Sequence, residues 1–506
     1  MRSWRTASVA LLSFSSGLPL GLVWIAIPDW LRSVGVDLRT VGLVTLAQAP
    51  WSFKVLWAPL MDRYVPPWLG RRRGWAAIAQ AALCLATLAL AGVGQHPDTP
   101  WIVGALALAV AFAGATQDIA VDAYAVDVLR PDEQGVAVGA RIALYRAAMF
   151  TSGGLGITLA GRWSWPVVDV VLAACYLPLL VVTWRAPEPD VQPHAPGTLR
   201  DAVWLPFLGL LARHRALEIL AFVVLYKLAD NLAGALTRPF LVDMGYGEWD
   251  RGVALATVGL AATLGGTFLG GMLTTAMGLG HALWAFGVLQ TISNVGYVAV
   301  AHSPVDRPLM YAATGFEQLT SGMGTGAFSV LLLRLTQKRF SATQYALLSS
   351  LFGIPRILAG PVAGWLAGAL GWSTFFWISI ASGLPGLLLL ARFVPLGVRE
   401  PAFRVEPPRR AAPLGADALV ARGVAGGVVA LVVAALASAL VAALQTARTS
   451  PGTPVALGPA LAALLRPAGP GGWLELAALV AIAAIAGLFT AAVAAARAGG
   501  AGPAEG

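Results

Sequence analysis

Charged side chains are scarce in this chain: Asp, Glu, Lys and Arg make up 12% of its 506 residues, against 58% hydrophobic ones. A soluble domain carries about a quarter charged residues to keep its surface hydrated, so this composition excludes a soluble globular protein. With a mean hydropathy of +0.73, the chain reads as an integral membrane protein. Cysteine is scarcer still. Cys84 and Cys175 both fall inside apolar runs, and no disulfide framework can be read from them. The five histidines, His96, His194, His214, His281 and His302, are scattered over connections or the ends of apolar runs. No His-Glu-x-x-His, Gly-x-Ser-x-Gly or phosphate-loop pattern gathers them or the carboxylates into a reaction centre, which argues against a membrane enzyme and gives no metal or cofactor to expect. The net charge of +9 sits in short basic clusters between apolar runs, where it acts as a topology signal and not as a nucleic-acid patch.

Long apolar runs, in contrast, are abundant. A bilayer core of roughly 30 Å takes about 20 helical residues to cross. About fourteen such runs can be placed, at 8–30, 40–60, 75–94, 101–126, 136–160, 165–184, 217–241, 252–276, 280–301, 308–333, 342–369, 372–394, 423–445 and 474–496. The first follows Arg2 and Arg5 like a signal peptide, but it is too long and lacks a clear small-residue cleavage site, so it reads as a retained helix.

With the N-terminus in the cytoplasm, the inside connections hold roughly twenty Lys and Arg and the outside ones about seven, which orients the chain with both termini cytoplasmic. The inside clusters include Arg71-Arg72-Arg73, Arg213/Arg215, Lys338/Arg339 and Arg409/Arg410. Residues 185–216, with Pro187, Pro189, Pro193 and Pro196, form the longest connection within the first twelve spans and divide them six and six. The expected organisation is a six-helix bundle at 1–184, a cytoplasmic linker at 185–216, a second six-helix bundle at 217–395, and a connection with two extra spans at 396–506. A weak repeat supports it. Tyr145-Arg146, the small-residue run 152–156, Trp163-Ser164 and Leu177-Pro178 recur near an offset of 210 as Pro355-Arg356, the run 360–364, Trp372-Ser373 and Leu384-Pro385. Parallel six-helix halves with a site between them describe the major-facilitator architecture, an all-α polytopic fold. The series Gly360-x-x-x-Gly364-x-x-x-Gly368 would let span eleven approach a neighbour closely, with simple packing as its plain reading.

Carboxylates inside such spans need explaining, because a charge in the bilayer costs several kcal/mol unless it faces a partner or a water-filled cavity. Asp118 and Asp122 lie four residues apart on one face of span four, while Asp127 reads as interfacial. Span five returns antiparallel and brings Arg141 near the depth of Asp122, and Tyr145 and Arg146 near Asp118. Lys54 on span two reaches a similar level. An Asp–Arg/Lys cluster is therefore expected in the first bundle, either as a permanent structural network or as a coupling site in which Asp118 or Asp122 exchanges a proton as access changes. In span seven, Lys227, Asp230 and Asn231 share a face at about mid-membrane. Glu317 and Gln318 on span ten lie at matching depth, and Gln290 and Asn294 add amides from span nine. A locked Lys227–Asp230 pair is one reading. The surplus of hydrogen-bonding groups around it suits a hydroxyl- and amide-rich solute.

Several stretches then resemble one family. Phe14-Ser-Ser-Gly-Leu-Pro-Leu20, Phe53-Lys54-Val-Leu-Trp-Ala-Pro-Leu-Met-Asp62-Arg63-Tyr-Val-Pro-Pro67 with Gly70-Arg71-Arg72-Arg73-Gly-Trp75, and Gln117-Asp118-Ile-Ala-Val-Asp122-Ala123 resemble the muropeptide permease family, AmpG. So do Val224-Leu-Tyr-Lys227-Leu-Ala-Asp230, Ser321-Gly-Met-Gly-Thr-Gly-Ala327, Phe340-Ser-Ala-Thr-Gln344-Tyr345-Ala-Leu-Leu-Ser349 and Gly360-Pro-Val-Ala-Gly-Trp365. The likeness covers all twelve core spans, and the family also carries two additional C-terminal helices. It implies a proton-driven importer of the bacterial inner membrane that carries N-acetylglucosaminyl-1,6-anhydro-N-acetylmuramyl peptides from periplasm to cytoplasm for wall recycling, feeding β-lactamase induction where that circuit exists. Lys54, Gln117, Asp118, Asp122, Tyr145, Arg146, Lys227, Asp230, Gln344 and Tyr345 fall on matching positions. Physically, Lys227 or Arg146 suits a solute carboxylate, and Gln117, Gln290, Asn294, Gln318 and Gln344 suit hydroxyls and acetamido groups.

The connection from Asp62 to Arg73 is an elaborated form of the major-facilitator loop that bears an acid and a basic run. Asp62, Arg63, Arg71, Arg72 and Arg73 are expected to gate the cytoplasmic side, against the simpler reading of positive-inside anchoring. Asp29 and Arg238 depart from the family's pattern. Related importers of siderophores or acetyl-CoA, and a receptor that binds without transporting, would share the fold, which cannot separate them. The expected partners are a small solute, a proton and the lipid bilayer, with no nucleic acid and with protein partners unread. Reporter fusions within 185–216 should score as cytoplasmic; a periplasmic score would overturn the six-plus-six division.

Overall fold

The computed structural model describes residues 4–36, 40–41, 44–96, 100–189, 195–211, 213–403, 414–449, 455–467 and 469–498. Pro193, His194, Arg409 and Arg410 lie outside the described residues. Among those described, the chain is helical with no strand. Helices occupy all fourteen expected spans: α1 (Trp4–Ser33), α2 (45–63, in short pieces), α3 (Gly70–Val93), α4 (Pro100–Val128), α5 (134–160), α6 (Trp165–Arg185), α7 (Ala216–Asp243), α8 (Glu248–Met277), α9 (Leu279–His302), α10 (Arg307–Leu335), α11 (Ser341–Leu370), α12 (Trp372–Phe393), α13 (Ala416–Thr449) and α14 (Pro470–Arg497).

Among the described residues, ten of them are long and apolar enough to cross a membrane. The other four, α2, α5, α10 and α11, are those that bring Lys54, Arg141 and Arg146, Glu317, and Arg356 into the protein. Their polarity is paid back by position, because they face other helices or the space between bundles and leave the lipid to their neighbours.

Two helices break where a lysine sits. Pro50 and Pro59 each remove a backbone donor from α2, which runs as short α and 3₁₀ pieces on either side of Lys54–Leu56. In α7 the helix is interrupted at Tyr226 and Lys227, and the Gln290 amide donates to the freed Tyr226 carbonyl at 3.1 Å. A side chain inserted into the ladder accounts for such a break.

Two departures from the sequence reading follow. The 185–216 connection is not a plain linker: it contains a helix, Leu199–Leu211, which packs against α2, α11 and α14. Its Trp204 lines an apolar cleft of about 720 Å³ between α13 and α14. Two glycines of the α11 series, Gly360 and Gly368, stand in open space, since a Cβ at either would meet nothing within 4 Å.

Close packing between the bundles falls instead to α5 and α8. A Cβ on Gly271 would come within 2.2 Å of the Gly135 carbonyl oxygen, and one on Gly139 within 3.1 Å of the Phe268 backbone. Backbones that approach this closely are typical of small-residue helix contacts in membranes. These residues, like the α2 and α4 contacts with the start of α11, belong to the end that carries the basic loops, so the bundles are joined there. Gly271→Leu overpacks that contact, at a typical cost of about 1–3 kcal/mol. In a chain lacking Cys84 and Cys175, it should raise the thiol-labelling rate of Ala342→Cys several-fold from the basic side; an unchanged rate would show that this contact does not hold the end shut.

Candidate functional site

The closed end is held by a charged lock. Asp62, at the end of α2 and 0% exposed, accepts hydrogen bonds from the Thr343 amide at 2.8 Å, the Thr343 hydroxyl at 2.7 Å and the Ala342 amide at 3.4 Å. A carboxylate of the first bundle thus caps the first turn of α11 in the second, where free amides and the helix dipole favour negative charge. Arg72 completes the lock, donating to Asp62 and to Ser341 Oγ at 2.6 Å each and to Asp127 at 2.9 Å. Arg71 donates to the carbonyls of Arg339 at 3.2 Å and Lys338 at 3.3 Å. Asp127 is therefore buried within the lock, at the end that carries the basic loops. Arg63 and Arg73 take other partners: Arg63 stacks 5.6 Å from the Tyr64 ring, and Arg73 donates to the Ala186 carbonyl at 2.7 Å and pairs with Glu188. The Arg73 contacts hold the start of the linker. Across the same end, Arg334 of α10 donates to Gln134 of α5 at 3.1 Å.

One helical turn deeper lies the first bundle's charge cluster. Lys54 contacts Asp118 directly and Asp122 at 3.3 Å, and Arg141 pairs with the other oxygen of Asp122. Two cations thus face two carboxylates. Lys54 can point between them because the break in α2 turns it inward, and the four-residue spacing on α4 stacks the acids on one face. The Arg141 guanidinium lies 5.8 Å from the ring of Tyr345 on α11, so the cluster adjoins the second bundle. Gln117 donates to Ser16 at 3.4 Å, while its carbonyl oxygen has no partner among the described residues.

The second bundle carries a different balance. Lys227 donates to Asp230 at 2.5 Å, to Gln290 Oε1 at 2.9 Å and to Ser321 at 2.8 Å through its carbonyl and 3.1 Å through its hydroxyl. Glu317, 3% exposed, receives one side-chain hydrogen bond, from Tyr297 at 3.4 Å. Around this group, Asp230 Oδ1, Asn231 Nδ2, Asn294 Oδ1 and Thr314 Oγ1 are buried without partners among the described residues. Asn294 donates to Ser379 at 3.3 Å, and Gln318 accepts from Thr263 at 2.7 Å.

Several expected site residues stand elsewhere. Gln344 is engaged at the closed end, accepting from the Gln337 amide at 2.7 Å and donating to the Pro206 carbonyl at 2.9 Å, so it holds the linker helix and is not free to meet a solute. Gln290 has its oxygen on Lys227 and its amide on Tyr226, which makes it a brace for the α7 break. Tyr145 and Arg146 are half-buried on α5, within electrostatic reach of Arg356 on α11. Among the described residues neither Arg146 nor Arg356 forms an ion pair, leaving one unmatched guanidinium from each bundle. Asp29 and Arg238 are exposed. The sequence reading missed Ser321, Tyr297, Ser341 and Thr343, whose types carry no signal of their own. It also missed Arg356, although the internal repeat aligned it with Arg146. Asp169 on α6 was missed too: it is 1% exposed with neither carboxyl oxygen hydrogen-bonded among the described residues. No group of three or more His, Cys, Asp or Glu among the described residues could hold a metal ion.

Residues 9–354 match the Major Facilitator Superfamily. The chain is 42% identical over 388 residues to the anhydromuropeptide permease of Escherichia coli (strain K12), covering 76% of this chain and 79% of that one. It is 27% identical over 401 residues to the putative transporter AmpG 4 of Rickettsia conorii, covering 77% and 96%. Among solved structures, a bacterial homologue of the iron transporter ferroportin in an outward-facing state superposes with a TM-score of 0.54 at 14% identity, over 76% of this chain and 98% of that one. The human organic anion transporter MFSD10 superposes with a TM-score of 0.55 at 14% identity, over 76% and 99%. At that identity the two structures establish the fold alone.

Lys54 is the cation on which both aspartates depend. Removing one partner from a buried pair costs about 3–5 kcal/mol, whereas removing both is far milder. Lys54→Met should lower the thermal midpoint of the detergent-solubilised protein markedly, and Lys54→Met with Asp118→Asn should recover most of the loss. Additive losses would mean that the two residues are not coupled.

Proposed function

The chain belongs to the Major Facilitator Superfamily and, within it, to the anhydromuropeptide permease family, and from that premise we propose that it imports anhydro-muropeptides across the bacterial inner membrane, driven by protons. It is a multi-pass transporter and not an enzyme. Its basic end is the cytoplasmic one, both termini lie there, and the working halves are 1–184 and 217–395, joined by 185–216 and followed by two accessory helices in 396–506.

The observation that carries the mechanism is the lock between Asp62, Arg72 and the first turn of α11, on which the two bundles close at the basic end. With that end shut, solute enters from the other side and meets walls from both bundles. Arg146 and Arg356 attract the carboxylates of the peptide stem, in the manner of paired guanidinium recognition. Gln117, Asn231, Asn294 and Gln318 face hydroxyls and acetamido groups, with Tyr145 and Tyr345 offering rings to the sugar. Lys227 and Asp230 form the charged floor of the second wall. In the first wall, Asp118 and Asp122 share Lys54; protonation of one frees the lysine for the other, which alters how the cluster holds α2 against α4. Opening the basic end then requires Asp62 to leave the amides of α11 and Arg72 to leave Ser341.

Labelled anhydro-muropeptide should accumulate in proteoliposomes under an inward proton gradient, and well beyond one molecule per protein. Asp118→Asn or Asp122→Asn should abolish accumulation while counterflow exchange survives. Active wild-type protein that takes up a siderophore but no anhydro-muropeptide would overturn the substrate.

A further inference from the structure

Among the described residues, two buried carboxylates of the second bundle, Asp230 and Glu317, adjoin one ammonium, that of Lys227, which donates to Asp230 and not to Glu317. From α7, Glu317 faces Lys227 and Asp230; from α9 it faces Tyr297; α8 presents the uncharged Thr263 and Thr267 to α10. An ammonium has three protons to donate. Those of Lys227 are directed to Asp230, Gln290 and Ser321, which leaves none for Glu317. The first bundle differs, since Lys54 and Arg141 there balance Asp118 and Asp122. A carboxylate that is 3% exposed, beside another carboxylate and with a single phenol donor at 3.4 Å, lacks what is needed to hold a charge away from water.

We propose that Glu317 is a second proton-carrying carboxyl of the transport cycle, neutral in this closed-end conformation and ionised when the basic end opens. In the neutral form its O–H is a donor in a pocket where Asp230 Oδ1 is buried and has none among the described residues. When the basic end opens, the O–H bond breaks, the proton leaves to water on that side, and the Glu317 carboxylate left behind competes with Asp230 for Lys227. That exchange of partners loosens Lys227 from Gln290 and Ser321, which brace the α7 break against α9 and α10. Reprotonation from the opposite side restores the arrangement seen here. The inference rests on the reading of the chain as a proton-driven importer, but its first test does not depend on the substrate.

The infrared spectrum of the full chain in lipid should show the C=O stretch of a neutral carboxylic acid at neutral pH, measured in an Asp169→Asn background so that the other unpartnered buried carboxyl contributes nothing. Glu317→Gln should remove that band. Asp230→Asn should remove it as well, because the released Lys227 then ionises Glu317 without any change at position 317. A band that survives either substitution would overturn the proposal. In proteoliposomes, Glu317→Gln, which keeps the shape of the neutral acid, should retain counterflow exchange of anhydro-muropeptide and lose gradient-driven accumulation. Full accumulation by that variant would also overturn it. Failure of the wild type to exchange anhydro-muropeptide would instead sink the substrate reading and leave the infrared result to decide the protonation.

Discussion

A charge inside a membrane-spanning bundle has no bulk water to solvate it, and every other feature of this protein is arranged around that constraint. Three groups of buried charge satisfy it in different ways. At the closed end, Asp62 and Asp127 are matched by Arg71 and Arg72, with the amides of α11 supplying the remaining donors. In the first bundle two cations face two carboxylates. In the second, Lys227 serves Asp230 and leaves Glu317 to a tyrosine. The differences in balance, and not the number of charges, distinguish the three groups.

Helix breaks are what allow the charges to meet. A lysine on a regular helix projects along one face and reaches only its neighbours a turn away. Both buried lysines sit at interruptions, Lys54 between two prolines and Lys227 at the Tyr226 discontinuity, where freed backbone groups and side-chain braces share one small volume. Discontinuous helices at the site are a recurrent device of transporters. The cost is carried by α2, α5, α10 and α11, which surrender the apolar composition that their partners retain.

Much of this could be read from residue order. The runs of about 20 apolar residues located the fourteen long helices but not the short one in the 185–216 connection, because bilayer thickness sets the length of a spanning run and says nothing of shorter helices. The four-residue spacing of Asp118 and Asp122, and the antiparallel return of α5, were enough to bring Arg141 to Asp122. Asp62 and Arg72 were readable as residues in need of partners, because charge at a helix end near a basic loop must be matched. Gln344 and Gln290 misled: an amide in an apolar run looks equally suited to a solute and to a stray backbone carbonyl, and here carbonyls of Pro206 and Tyr226 claim them. Gly360 and Gly368 of α11 misled for a similar reason, since spacing shows that a helix could be approached and not that anything approaches it.

What the sequence by itself determined was the membrane-embedded helical class, the order of the long helices along the chain, and the residues rich enough in charge to need partners. These follow from local composition and periodicity. Which partner each charge takes was decided only by the tertiary structure: Asp62 against the backbone of α11, Asp127 inside the lock, Arg141 beside Tyr345 of α11, and Glu317 on the Tyr297 hydroxyl. Such pairings join residues from α2 and α11, or α5 and α11, hundreds of positions apart. They are fixed by how the two bundles pack at one end, through contacts as close as Gly135 on Gly271, and no spacing along the chain encodes that distance.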